Sequence, residues 1–175
     1  MAYIYAGPGS ANKVTLTVKV ASNGSDTGLS IPALQDVTIE AANDVFSFSS
    51  LESNSVTQVA TVASNSISGN IVVDSDKFFG TTAAVTGTDS HIDYADASVD
   101  TAVEFGIFGL SSQKVRVSFE LYMGSDTDAG ASVNEPTIKG AGYVTGLSPN
   151  ISADSPVWIT SFSIVGDQDL TVVRA

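Results

Sequence analysis

Strict alternation of apolar and polar residues in two stretches constrains the fold of this chain more than any other feature. In Lys13–Val20 (KVTLTVKV), residues 14, 16, 18 and 20 are valine or leucine, and the residues between them are threonine or lysine. In Lys114–Met123 (KVRVSFELYM), the odd-numbered residues from 115 to 123 are apolar in the same way. A period of two places these side chains on one face of a β-strand. Both stretches are therefore predicted to be half-buried strands of an antiparallel sheet.

Weaker alternation recurs along the chain and extends the prediction to a mainly β protein. It covers Leu34–Ala42, Val56–Val62, Ser66–Val73, Pro156–Val165 and Asp169–Val173. Valine, threonine, isoleucine and serine dominate the composition, as is typical of strands, and strong helix formers are sparse. Val99–Leu110 (VDTAVEFGIFGL) is the exception, because its apolar residues recur at helical spacing. We predict one short helix there, capped by Ser98 and weakened by two internal glycines.

Polar segments separate these elements without marking a domain boundary. Ser22–Ser30 and Gly124–Glu135 are predicted to connect strands, and Thr81–Asp100 is a longer, acidic segment. A polar stretch of that length is either a mobile loop or part of an interface, and the sequence leaves both interpretations open. The 175 residues show no internal repeat. We expect a single domain over residues 1–175 with a long polar loop around 81–100.

The charge balance excludes several classes of partner. Nineteen acidic residues stand against seven lysines and arginines, which gives a net charge of −12. A domain that binds duplex nucleic acid normally carries a basic surface, so that function is disfavoured. The apolar runs are far shorter than a membrane span, and the N-terminus lacks a secretory signal pattern, so we expect no membrane partner. The chain has no cysteine, which excludes disulfides and thiolate sites.

Residues suited to catalysis or metal binding do not form a recognisable motif. His91 is the single histidine, and no G-x-S-x-G motif accompanies it. We therefore favour a solvated loop histidine over a Ser-His-Asp triad. Three Asp-x-Asp pairs occur, at 74/76, 126/128 and 167/169, but none continues as a calcium-binding loop. The sequence predicts no catalytic residue, no cofactor and no metal, and its aromatic residues are expected to be buried in a core or an interface.

A glycine-rich stretch, Ile138–Ile159 (IKGAGYVTGLSPNISADSPVWI), could in principle hold phosphate. A P-loop requires a lysine directly after its last glycine, whereas Lys139 precedes the glycines here. We therefore predict a strand in which glycines mark a bulge or a close approach of another backbone. The segment 146–149 is expected to be a turn or strand end, and Pro156 is expected to begin the next strand. The candidate structural or interface residues of this stretch are Gly140, Gly142, Tyr143, Pro149, Pro156 and Trp158.

The order of several motifs resembles that of the major tail tube protein of tailed bacteriophages. These motifs are Val37–Leu51 (VTIEAANDVFSFSSL), Asn65–Asp74 (NSISGNIVVD), Lys77–Gly80 (KFFG), Gly106–Met123 (GIFGLSSQKVRVSFELYM) and Ile138–Gly166. In that family, a K-G-x-G-Y segment leads into a final pair of strands. The resemblance covers about two thirds of the chain, and residues 81–100 lie outside it.

This resemblance implies a non-enzymatic structural protein of the virion. Its fold would be an antiparallel β-barrel or β-sandwich with one short flanking α-helix, which the tube protein of type VI secretion systems shares. Six copies would form a ring, and rings would stack into the hollow tail tube through which DNA is ejected. The implied partners are other copies of the chain, with sheath, tail terminator and baseplate proteins, in a tail assembled in the host cytoplasm. Viral DNA would pass through the tube without specific binding.

The net charge suggests how DNA would pass, because an acidic lumen repels phosphate groups. Asp36, Glu40 and Glu120 lie at outward positions of alternating strands and are the candidates to face the channel. Each is equally consistent with a solvated charge on the outside of the assembly. Two other classes remain open at this point. One is another virion β-sandwich, such as a head decoration or adhesin-like protein, and the other is a hydrolase that uses His91.

Overall fold

The computed structural model describes residues 14–31, 34–42, 45–49, 56–60, 64–81, 84–86, 91–96, 98–123, 136–150, 152–154 and 157–174. The strands in these ranges are β1 (Val14–Val20), β2 (Leu29–Ile31), β3 (Leu34–Ala42), β4 (Val45–Ser49), β5 (Val56–Ala60), β6 (Ser64–Val72), β7 (Ala84–Thr86), β8 (His91–Asp93), β9 (Arg116–Met123), β10 (Pro136–Asn150), β11 (Ile159–Gly166) and β12 (Thr171–Arg174). The helices are α1 (Ser75–Phe79) and α2 (Ala102–Ser112).

One large antiparallel sheet forms the body of the molecule. Its strand order is β2-β1-β9-β10-β11-β6-β3, and β12 pairs with the first part of β10. Strands β1 and β9 pair along their whole length, so that Leu16 lies opposite Leu121 and Val18 lies opposite Phe119. All four side chains are fully buried, which confirms the alternation read from the sequence.

The core lies on one face of this sheet, which curves so that β3 returns towards β1 and β9. Helix α2 packs against β1, β2 and β10 and covers part of the core. The predicted mainly β architecture with a short flanking helix is confirmed as a sandwich-like sheet. The largest fully buried side chains are Leu16, Ile67, Ile71, Leu110, Phe119, Leu121, Phe162 and Ile164.

Helix α2 begins three residues later than predicted, because its cap is Thr101 and not Ser98. The Thr101 hydroxyl accepts a hydrogen bond from the Glu104 backbone N–H, and the Glu104 carboxylate accepts one from the Thr101 backbone N–H. This capping box satisfies two backbone donors at the helix start. Gly106 has φ 61° and ψ 173°, which interrupts the helix. Lys114, between α2 and β9, has φ 53°, which is not a strand conformation. Strand β9 begins two residues later, at Arg116.

Two predicted connections contain regular structure. Within residues 81–100, predicted as a loop, β7 and β8 form a two-stranded sheet. Of the two alternatives for 146–149, a turn or a strand end, the turn is wrong, since these residues belong to the last part of β10, which continues to Asn150. Its pairing with β11 shifts register between Thr145 and Ser148, where Gly146 has φ 68°. A bulge is therefore present in β10, but it lies near Gly146 and not at Gly140 or Gly142.

Candidate functional site

The face of the large sheet that points away from the core is mainly polar, and we call it the outer face. Residues directly opposite in an antiparallel pair share a face, so the ladder registers define it. On this face Asp36 of β3 lies opposite Asn70 of β6. Thr38 of β3 lies opposite Ser68 of β6, which in turn lies opposite Ser163 of β11. Its positions are Thr15, Thr17, Lys19, Asp36, Thr38, Glu40, Ser66, Ser68, Asn70, Arg116, Ser118, Glu120, Tyr122, Thr137, Lys139, Ala141, Tyr143, Thr145, Ser161, Ser163 and Val165.

The structure places two of the predicted acidic residues on the same face of β3, the outer face, four residues apart. Asp36 accepts hydrogen bonds from the backbone N–H of Asn70 at 2.6 Å and from the Asn70 side-chain amide at 3.0 Å. Glu40 accepts a hydrogen bond from the Ser66 hydroxyl at 3.3 Å. Both carboxylates are on exposed residues and face neutral partners on β6. This half of the outer face therefore carries negative charge among hydroxyl and amide groups.

The third predicted acidic residue lies on the other half of the outer face, where charges are paired. The Lys139 ammonium lies 3.0 Å from a Glu120 carboxylate oxygen, across the β9–β10 ladder. Arg116 donates two hydrogen bonds to Asp167, at 2.6 and 3.1 Å. This contact lowers the pKa of the Asp167 carboxyl and raises the pKa of the Arg116 guanidinium.

The outer face as a whole is close to charge balance. Among the described residues, its strands and this ion pair carry four acids and three bases: Asp36, Glu40, Glu120, Asp167, Lys19, Arg116 and Lys139. The net charge of −12 is therefore not concentrated on this face. The acidic residues of this face that have no basic partner among the described residues are Asp36 and Glu40, and both lie on β3.

The close approach of another backbone, one of the two alternatives expected for Gly140 and Gly142 of β10, occurs at Gly142, whereas Gly140 lies against side chains. A Cβ atom at Gly142 would collide with the Val165 carbonyl of the neighbouring strand, and one at Gly140 would meet the Phe119 ring within 3.0 Å. Tyr143 is 41% exposed on the outer face, directly opposite Arg116. These glycines let β10 pack tightly between β9 and β11, and so they are structural residues of the sheet.

The three remaining candidates, two prolines and a tryptophan, lie at the other end of the stretch. Pro149 lies in β10 opposite Thr160, one residue before the strand ends at Asn150. Pro156 lies outside the described residues, and β11 begins at Ile159. Trp158 directly precedes this strand, and its carbonyl accepts a hydrogen bond from the Val73 N–H at 2.8 Å. Its side chain is 44% exposed, so the expected burial of Trp158 does not occur within one copy.

Strand β4 was not predicted from the sequence, and neither was the surface that it forms with β5. Among the described residues these strands pair only with each other, as a two-stranded sheet that lies between β3 and β6 in the chain. We call it the β4–β5 hairpin. Val45, Phe46, Val56 and Val59 are between 48 and 64% exposed on it. Alternation in Val45–Ser49 (VFSFS) was the available signal.

The described residues offer no alternative site with recognisable chemistry. They contain no group of three or more histidine, cysteine, aspartate or glutamate residues that could hold a metal ion. Of the Asp-x-Asp pairs, Asp74 caps α1 by accepting a hydrogen bond from the Lys77 N–H, and Asp126 and Asp128 lie outside the described residues. His91 lies in β8. No helix in the described ranges is long and apolar enough to cross a membrane.

Comparison with known proteins identifies where this fold occurs. No protein-family model matches the sequence, and no curated protein does. A chain in the tail of an empty GTA (gene transfer agent) particle, refined with C6 symmetry, has a TM-score of 0.54 at 15% identity, over 90% of this chain and 95% of that chain. A chain in the tube-terminating cap of the anti-feeding prophage has a TM-score of 0.50 at 13% identity, over 100% and 95%. The chain thus has a fold that is found in the tail and in the tube-terminating cap of such particles.

Proposed function

We propose that this chain is a structural protein of a phage-like tail, in which six copies form a ring and rings stack into a hollow tube. The observation that carries the proposal is the division of the molecule into a polar outer face and an exposed apolar hairpin. This division is found in a chain whose fold is similar, over nearly its whole length, to that of a chain from a tail refined with C6 symmetry. We propose that residues 1–175 act as one unit in this assembly and that its role is architecture rather than catalysis.

The outer face supplies the wall that a water-filled tube needs. Its β3, β6 and β11 rows present serine, threonine and asparagine, which water can solvate without a change in the sheet. On the β3 side, Asp36 and Glu40 add negative charge without a basic partner in the described structure. We propose that this side faces the lumen, where it repels the phosphates of passing DNA. Glu120 is locally neutralised by Lys139 and contributes less.

The β4–β5 hairpin supports self-assembly independently of the outer face. A two-stranded hairpin is marginally stable by itself, and this one exposes apolar side chains on both of its faces. Contact with other copies would bury them, at about 25 cal/mol for each Å² removed from water. We further propose sheath, tail terminator and baseplate proteins as partners, and the virion tail, assembled in the host cytoplasm, as the location. Exposed Tyr143 and Trp158 are additional candidates for contacts between subunits.

Electron microscopy and mass measurement of the purified protein test this function. We expect ring particles of six 18.0 kDa copies, about 108 kDa, and hollow tubes at higher concentration. Discrete trimers or monomers under all conditions would contradict the proposal and favour a head decoration or adhesin-like protein. Hydrolysis of an ester panel that is lost in His91→Ala would instead favour the hydrolase.

A further inference from the structure

We propose that the β4–β5 hairpin of one copy docks into an apolar groove at the open side of the sheet of a second copy. This inference rests on the proposed function in one respect, namely that copies of the chain assemble. It adds the two surfaces that meet. The groove is a cavity of about 270 Å³ between β3 and the strands β1 and β9. Its apolar lining is Val14, Leu34, Val37, Ile39, Leu121 and Met123.

Among the residues that the structure describes, the groove is a continuation of the core that no side chain fills. Leu121 is fully buried, whereas Val14, Leu34 and Met123 are only partly covered although they pack against core residues. The opening arises at a β-bulge, because the pairing of β3 with β6 shifts between Leu34 and Asp36. A second apolar surface that entered this space would complete the packing around these side chains.

The hairpin matches the mainly apolar lining of the groove and carries no charge that would be repelled by Asp36 at its edge. Its strands, VFSFS and VTQVA, contain no ionisable side chain, whereas the whole chain has a net charge of −12. Two copies repel each other at most surfaces, and an uncharged apolar hairpin avoids that repulsion. Phe46 and Val59 lie opposite each other across the hairpin and share one of its faces, which gives an apolar surface to place in the groove.

The position of the two surfaces favours an intermolecular contact. The groove lies along β3 from Leu34 to Ile39, and the hairpin begins at Val45, after β3 has ended at Ala42. The strand alone extends about 10 Å beyond Ile39 before the hairpin begins. Two different patches at separate positions along the chain form a heterologous contact, which repeats from copy to copy.

The absence of cysteine allows a direct test by site-specific cross-linking. Thr57 is exposed on the hairpin face that carries Val59, and Gln35 is exposed at the groove. We expect Thr57→Cys and Gln35→Cys, mixed and treated with an oxidant, to give a disulfide-linked dimer. The matched control replaces Gln35→Cys by Thr38→Cys, which lies exposed on the opposite face of the same strand. The expected dimer yield is about tenfold higher in the first mixture, because docking raises the effective concentration of the two thiols.

Each other outcome overturns the inference, and all but the last leave the proposed function standing. Rings or tubes in the microscope, with equal yields in the two mixtures, would place the hairpin elsewhere while the tube proposal stands. Dimers from Thr57→Cys alone would show that hairpins pair with each other. A disulfide within one copy of the double variant Thr57→Cys/Gln35→Cys would show that the hairpin folds onto its own groove. A disulfide within one copy of Ile4→Cys/Gln35→Cys would assign the groove to the N-terminal segment. A chain that remains monomeric would overturn both proposals.

A second variant tests whether apolar contact drives the docking. Val59→Asp places a charge at an exposed position of the hairpin, so the fold of the copy itself is not expected to change. Combined with Thr57→Cys, it should return the dimer yield with Gln35→Cys to the level of the control mixture. An unchanged yield would contradict docking of this face.

Discussion

At the scale of single residues, the buried Asp26 side chain joins the β1–β2 connection to the start of helix α2. It is 5% exposed, and its carboxylate accepts hydrogen bonds from the backbone N–H groups of Val20, Gly28 and Ala102 at 2.7 to 2.9 Å. The sequence placed Asp26 in a polar connector, and nothing local distinguishes it from an exposed turn residue.

Loss of this carboxylate should therefore be costly. We expect Asp26→Ala to lower the free energy of unfolding by about 3 kcal/mol, because two buried N–H donors and one part-buried N–H donor lose their carboxylate acceptor. Asp26→Asn should cost less, since the amide keeps one acceptor oxygen. Urea denaturation measures both, and Asp154→Ala is the exposed control, which should change the free energy by less than about 0.5 kcal/mol. Equal effects of Asp26→Ala and Asp154→Ala would contradict this role.

Gly142 provides a second prediction at this scale, since the neighbouring strand leaves no space for a side chain. A Cβ atom there would collide with the Val165 carbonyl, whereas a Cβ at Gly24 would meet nothing within 4 Å. We expect Gly142→Ala to destabilise the fold by about 2–3 kcal/mol, because β10 and β11 must separate locally. Gly24→Ala, measured in the same denaturation series, should be close to neutral. Comparable stability of the two variants would show that the sheet tolerates the displacement.

At the scale of elements, the capping box of α2 makes the helix start sensitive to acid. Hydrogen bonds from Thr101 and Asp100 lower the pKa of the Glu104 carboxyl from its usual value of 4.5. A carboxyl whose pKa is lower in the folded state stabilises the fold above its unfolded pKa, and this contribution disappears as the pH falls through the folded pKa.

The variant Glu104→Gln isolates this effect because glutamine keeps the shape and acceptor of the cap. We expect the wild type to be the more stable protein at neutral pH, with the difference shrinking as the pH falls below about 4.5. Urea denaturation at neutral pH and near pH 3 measures the difference. A stability gap that is independent of pH would contradict a role for the charged carboxylate.

The β4–β5 hairpin is the element whose dynamics should depend most on assembly. In one copy it pairs with no strand of the large sheet among the described residues, and the side chains of residues 45–47 and 56–60 are exposed. Backbone amides of such an element exchange with solvent at low opening free energy. Hydrogen–deuterium exchange should therefore show fast exchange in the monomer and slow exchange in the assembled form, while β9 stays protected in both. Fast exchange of the hairpin in assembled particles would contradict its burial there.

At the scale of the whole molecule, the β3 side of the outer face should line the channel. A cryo-EM map of tubes should place Asp36 and Glu40 at the inner wall. The double variant Asp36→Asn/Glu40→Gln should still assemble, since both residues are exposed and both replacements keep an acceptor oxygen. A map with these residues on the outside of the tube would contradict the proposed lumen.

The strands that the sequence located correctly are those with the strongest local signal. Alternation in β1 and β9 confines their apolar residues to one face, and burial of that face is enough to fix the strand. The helix was located but its start was not, because Ser98 and Thr101 are equally acceptable caps locally. Thr101 is the cap because the Glu104 carboxylate accepts a hydrogen bond from its backbone N–H. The Asp26 carboxylate also accepts one from the N–H of Ala102, the first residue of the helix.

The candidate site was predictable in part for the same reason. Side-chain alternation along β3 and β9 sets Asp36, Glu40 and Glu120 on the face opposite the core, and the structure has them there. Pairing between strands that are distant in sequence decides which charges remain unpaired. Lys139 reaches Glu120 from a neighbouring strand nineteen residues away, whereas Asp36 and Glu40 meet only amide and hydroxyl groups on β6.

By itself, the sequence determined that this protein is a mainly β, acidic chain with polar strand faces, since composition and periodicity act on each segment locally. Only the tertiary structure decided that β10 continues through Gly146. The tertiary structure likewise decided that, among the described residues, the β4–β5 hairpin pairs with no strand of the large sheet. It also decided that a groove opens at the β3 bulge. These features depend on which strands become neighbours, and that choice follows from how the whole sheet curves around its core rather than from any single segment.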